Sequence, residues 1–174
     1  MRLPDAKATG RDAAEENDPL GKGTTFVKSH LRRLTQDKDV WEADFRPASR
    51  SPGNHDTVWY GLVVKCDGGI LAHRTVEVSP TPNDMAILLA DAMTRPFDEM
   101  PRRPHTLRVR ARHEWEELLP HLRQVVLRVV SAPRLAQWDR AFKDFSRSLL
   151  QAEPTPPEVE TRYPSAVNQR NAAP

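Results

Sequence analysis

The sequence predicts an α/β domain built on a mixed sheet, in the order β-β-β-α-β-α-β-α. Three observations carry this. Short extended runs rich in alternating, β-branched and aromatic residues fill residues 40–78 and are joined by turn signals. A stripe of apolar residues at helical spacing then follows a proline-led cap. Beyond residue 104, strand-like and helix-like segments alternate, which is the pattern of crossover units that lay later strands parallel to the first.

The first strand is Val40-Trp41-Glu42-Ala43-Asp44-Phe45-Arg46-Pro47. Strict alternation puts Trp41, Ala43 and Phe45 on one side and Val40, Glu42, Asp44 and Arg46 on the other. A carboxylate is thereby held mid-strand, opposite two aromatic anchors. Arg46-Pro47 is expected to end the strand, because proline cannot donate to a ladder and restricts the residue before it. Pro52-Gly53-Asn54 marks a loop. Residues 58–66 and 70–78 read as a hairpin closed by Asp67-Gly68-Gly69, with Gly61 marking a bulge or a close backbone approach.

Ser79-Pro80-Thr81-Pro82 stops the hairpin and starts a helix, with Thr81 as cap and Pro82 at the first helical position. Met85, Leu88, Leu89, Ala92 and Met93 recur on one face, the pattern of a core stripe. Residues 95–104 form a proline-punctuated connector, and residues 106–111 a fourth, alternating strand. A short helix is expected over residues 113–122, with Trp115, Leu118, Leu119 and Leu122 inward. The apolar run 125–130 looks like a strand of a parallel sheet. Leu135, Trp138, Phe142, Phe145 and Leu149 stripe a last helix over residues 134–150.

At 174 residues the chain is long enough for one ordinary core and too short for two. Its hydrophobic share of 38% is low, which points to polar tails around a compact middle. Residues 1–24 are expected to be a flexible arm and residues 25–150 a single α/β domain with its core at 40–150. A disordered, proline-rich tail is expected over 151–174. Within the domain, residues 25–34 read as a short basic helix. A single cysteine, Cys66, excludes an intramolecular disulfide and reads as an inert, at least half-buried thiol. No apolar run approaches membrane-spanning length and no signal-peptide core opens the chain, so a cytoplasmic protein with no membrane partner is expected.

Formal net charge is +2, but residues 34–101 carry 6 Lys/Arg against 11 Asp/Glu and residues 102–147 carry 11 against 5. Such asymmetry fits either an anionic partner or pairing of the two halves within the chain. The densest basic cluster holds Arg102, Arg103, Arg108, Arg110, Arg112 and His113, with Arg108 and Arg110 on one face of their strand. Their forked donors suit phosphates or carboxylates. Base-stacking aromatics are not interleaved with this cluster, so sequence-specific reading of nucleic acid has no support.

Other chemistries lack their patterns. Gly21-Lys22-Gly23-Thr24 does not meet phosphate-loop spacing, and His113-Glu114-Trp115-Glu116-Glu117 lacks the second histidine of a zinc protease helix. No Gly-x-Ser-x-Gly elbow is present.

The element order, joined to Trp41 and Asp44 three residues apart, resembles the ribonuclease H-like fold, in particular the cores of retroviral-type integrases and bacterial transposases. It is similar also to uncharacterised bacterial domains of the same layout, and the resemblance covers about residues 40–150. It implies three carboxylates holding two divalent ions, on the first strand, at the end of the fourth and on the final helix. Asp44 matches the first position, and Asp139 and Asp144 lie on the last helix. The end of the fourth strand reads Val109-Arg110-Ala111-Arg112-His113, with no acid before Glu114. The resemblance therefore implies a degenerate, non-catalytic module with no cofactor, in which Asp44 pairs with an arginine or caps a loop. Its expected partner is anionic, nucleic acid or an acidic protein. The alternatives are an accessory protein-interaction module and a divergent Mg²⁺-dependent nuclease acting through Asp44 and Asp139.

Overall fold

The alternation of the first strand becomes a two-faced sheet in the computed structural model, which describes residues 27–49, 57–97, 99–126 and 128–151. The expected arm at 1–24 and all but the first residue of the expected tail lie outside these residues, as does the Pro52-Gly53-Asn54 loop. The elements are α1 (Lys28–Leu31), β1 (Val40–Ser49), β2 (Thr57–Lys65), β3 (Ile70–Val76), α2 (Pro82–Thr94), β4 (Thr106–Arg110), α3 (Leu119–Leu122), β5 (Arg128–Ala132) and α4 (Ala136–Gln151). The sheet runs in the order β3-β2-β1-β4-β5. β1, β2 and β3 pair antiparallel, whereas β4 is parallel to β1 and β5 is parallel to β4.

Trp41, Ala43 and Phe45 of β1, with Leu107 and Val109 of β4, face α2, whose Met85, Leu88, Leu89, Ala92 and Met93 are all buried against them. Thr81 and Asp84 close a reciprocal capping box at the start of α2, with Pro82 in its first turn. Opposite lies α4, whose Trp138 and Phe142, with Leu135 just before it, meet Val58, Tyr60, Leu62 and Val64 of β2. Gly61 is the close approach: a Cβ there would sit 2.5 Å from the Phe45 ring and 2.8 Å from Leu88. Gly68, at φ 91°, makes the β2–β3 turn in a conformation that favours glycine.

Four expectations need correction. β1 does not end at Arg46-Pro47 but continues to Ser49, with Pro47 opposite Trp59 of β2. Its pairing to β4 stops at Ala43, so beyond that point one edge of β1 has no strand partner among the described residues, and a missing N–H is tolerated there. The 113–122 segment is not one helix: a 3₁₀ turn, His113–Trp115, precedes the four-residue α3, whose first turn holds Pro120, a residue that fits a helix start and not a helix interior. Val125 and Val126 are not strand residues; they are buried in the turns that close α3, and β5 begins only at Arg128. Cys66 is exposed rather than half-buried, because it lies in the turn after β2.

Candidate functional site

Glu42 and Asp44 project from β1 toward α4, and both are buried, Asp44 completely. Charged groups removed from water persist only when they are paired and hydrogen-bonded. The parallel register supplies the partners, setting Glu42 beside Arg108 and bringing Arg110 to Asp44. Glu42 also accepts the Trp138 backbone N–H at 2.9 Å, so a strand carboxylate satisfies an otherwise unpaired donor in the first turn of α4. The Trp138 indole N–H donates to the Leu62 carbonyl at 2.9 Å. These two bonds fix the start of α4 over β1 and β2.

That docking brings Asp139 to the end of β4. Arg110 lies between the two carboxylates: Nε donates to Asp44 Oδ2 at 2.5 Å, and Nη2 to Asp139 Oδ1 at 2.6 Å. Its Nη1 donates to the Pro133 carbonyl at 3.2 Å. Arg112 Nη2 reaches the same Asp44 oxygen at 3.2 Å and the Phe45 carbonyl at 2.9 Å. Arg46 Nη2 donates to Asp139 Oδ1 at 2.5 Å. The result is an alternating chain, Arg112, Asp44, Arg110, Asp139, Arg46. Burial alone would lower the Arg110 pKa, but the hydrogen bond and charge of Asp44, with those of Asp139, outweigh it and hold the guanidinium above its ordinary value.

The two divalent ions implied by the sequence resemblance do not fit this donor set. A doubly charged ion about 4 Å from Arg110 would be repelled by roughly 8 kcal/mol at an effective dielectric of about 20. Among the described residues, no group of three or more His, Cys, Asp or Glu side chains is placed to hold a metal. Glu114 and Asp144 are exposed, and Asp144 pairs with Arg147 on its own helix at 3.3 Å.

The six basic residues singled out from the sequence are not gathered on one surface. Arg102 sits before β4, where it pairs with Asp37 at 2.8 Å and with Glu99. Arg103 donates to the Leu34 and Val125 carbonyls at 3.1 and 2.7 Å, tying the approach to β1 to the turn after α3. At the other end of β4, Arg110 and Arg112 hold Asp44. Between them Arg108 is half-exposed, and His113 is almost fully exposed beside Glu116. The crossing ion pairs account for much of the charge asymmetry as pairing between the two halves. Among the described residues, Arg108 has an exposed basic neighbour in the sheet. Thr106 of β4 is in register with Arg128 of β5, so Arg108 and the exposed Arg128 share the sheet face that carries Arg110, beside α4.

Two participants were not singled out in the sequence. Arg46 belongs to the correct side of β1 by alternation, but its partner Asp139 lies 93 residues away. Glu42 was placed on that side too, yet its role at α4 depends on where the last helix docks. A signal for both existed in the same two-residue period that exposed Asp44.

No protein-family model matches the chain, and a search of curated proteins finds no match.

Proposed function

We propose that this chain is a cytoplasmic, catalytically silent module of the ribonuclease H-like layout that binds the backbone of nucleic acid through arginines of β4 and β5. One observation carries the reading: Arg110 bridges Asp44 and Asp139, where that layout would require a third carboxylate. The strand order β3-β2-β1-β4-β5, with β4 parallel to a central β1, supports the layout. The half-exposed Arg108 and the exposed Arg128 on one open face support phosphate contact. Neither β4 nor β5 carries an aromatic residue, so binding is expected to be insensitive to base sequence.

The test is binding of a single-stranded and a duplex oligonucleotide across a salt series. Affinity should fall steeply with salt, and Arg108→Glu with Arg128→Glu should reduce the salt slope by about 2, close to one for each phosphate contact removed. Affinity that ignores both salt and the double substitution would discard the proposal in favour of an accessory protein-interaction module. Cleavage that requires Mg²⁺ or Mn²⁺ and is abolished by Asp44→Asn would instead support a divergent nuclease.

A further inference from the structure

The alternating chain at the end of β4 contains three guanidinium groups and two carboxylates, so one positive charge is not balanced within it. Neither carboxylate forms a two-oxygen fork with an arginine. Asp44 takes Arg110 and Arg112 on Oδ2 alone, and Asp139 takes Arg46 and Arg110 on Oδ1 alone. Asp44 Oδ1 is buried without a hydrogen-bond partner. The guanidinium edges of the outer two arginines are therefore incompletely engaged. Among the described residues, Arg46 uses only Nη2 and Arg112 only Nη2 in hydrogen bonds.

Arg46 is also held rigid. Its guanidinium carbon lies 4.9 Å from the Trp138 ring centroid and 5.2 Å from that of Phe142, and those two rings stack at 4.9 Å. A planar cation fixed against aromatic rings loses little rotational freedom when its remaining N–H groups take a ligand. Its side chain is 37% exposed, as is that of Asp139. The site thus has a buried interior, a net charge of +1 spread over its five members, and an open end at Arg46.

We propose that this open end binds one phosphate group, with the stacked Arg46 as its anchor. The guanidinium groups thereby give the site an anion affinity that needs no metal ion. Nη2 carries two hydrogens, and the one not given to Asp139 makes, with the neighbouring Nε–H or Nη1–H, a two-donor edge that matches two oxygens of a tetrahedral phosphate. Asp139 opposes the ligand, since its carboxylate draws on the same guanidinium. This placement rests on the nucleic-acid reading only for the source of the phosphate, a backbone diester, and a free phosphomonoester presents the same chemistry.

The experiment titrates the 174-residue chain and its Arg46→Gln, Arg46→Lys and Asp139→Asn variants. The probes are inorganic phosphate, a nucleoside monophosphate and a short oligonucleotide, with thermal unfolding as the check on folding. Arg46→Gln should weaken oligonucleotide binding about tenfold and lower its salt slope by about 1. Arg46→Lys, which keeps the charge and loses the fork, should fall between wild type and Arg46→Gln. Asp139→Asn should strengthen binding several-fold, a change of sign that a purely structural role would not produce. Variants that fold yet bind every probe as the wild type does would overturn the site. If oligonucleotides bind and respond to Arg108→Glu with Arg128→Glu but not to Arg46, the proposed function stands and this site falls. Arg46-dependent binding of phosphate or nucleotide without oligonucleotide binding upholds the site and removes the nucleic-acid reading.

Discussion

The two faces of the sheet are made by the same strands and obey different physics. Phe45 and Asp44 are neighbours in β1, both without solvent exposure, yet Phe45 packs among Trp115, Leu88 and Gly61 while Asp44 is surrounded by guanidinium groups. On the α2 side, stability comes from area removed from water and from close packing, which is non-directional. On the α4 side, a buried charge is tolerable only because particular partners arrive at particular distances. Such a cluster of paired charges contributes little net stability but is costly to disturb one group at a time. The comparison teaches that burial alone does not identify a core: Glu42 and Asp44 are as covered as Trp41 and Phe45, and their surroundings are set by pairing.

The largest expected effects test that contrast directly. Arg110→Leu should lower stability by about 3–5 kcal/mol by leaving Asp44 without its nearest partner. Adding Asp44→Leu should recover at least half of the loss, since an apolar pair needs no partner. Phe45→Ala should cost a similar amount, about 3–5 kcal/mol, through lost contact and a cavity, and no change of charge should restore it. Chemical denaturation of the three variants checks this. Recovery absent from the Arg110 pair, with Phe45→Ala mild, would erase the distinction between the faces.

A medium effect probes how closely the apolar face is filled. Gly61→Ala brings a methyl group against the Phe45 ring and Leu88 and should cost about 1–3 kcal/mol, seen as a lower Tm. A neutral result would mean that this face packs loosely and that its tolerance matches that of the surface.

The smallest effect belongs to neither face. Asp67, in the β2–β3 turn, is held below its ordinary value of 3.8, first by the Gly69 backbone N–H and then by Lys65. A depressed carboxylate adds stability that is complete above its unfolded pKa and disappears as pH falls through the lower folded value. Asp67→Asn should therefore flatten a shallow part of the Tm profile below about pH 4 and leave neutral pH unchanged in slope. A wild-type profile identical to that of Asp67→Asn would show that the turn gains nothing from the charge.

Much of the scaffold was legible because it is local. The two-residue period of β1 separated Trp41 and Phe45 from Glu42 and Asp44, and Thr81-Pro82 announced α2 by a cap that acts within four residues. Pairing of Asp44 with an arginine of β4 was legible at one remove, since a crossover connection must lay β4 beside β1. The misreadings have physical causes. Val125 and Val126 are apolar because the turns after α3 are buried, and burial looks alike in a turn and in a strand when only composition is read. Pro47 misled because its tolerance depends on where β4 stops pairing, a property of another segment. Asp139 was visible as an acid on the last helix, but its contacts with Arg46 and Arg110 follow from the rotation of α4 about its axis, which periodicity does not specify.

The bond from Trp138 to Glu42 spans 96 positions of sequence. Helix α4 thus receives part of its N-terminal capping from a strand laid down far earlier in the chain, and it can engage that acceptor only once β1 has its place in the sheet. Long-separation contacts of this kind slow the search for the native state. During synthesis, the Glu42 and Asp44 side of β1 stays uncovered until residue 138 has emerged, so this face closes last.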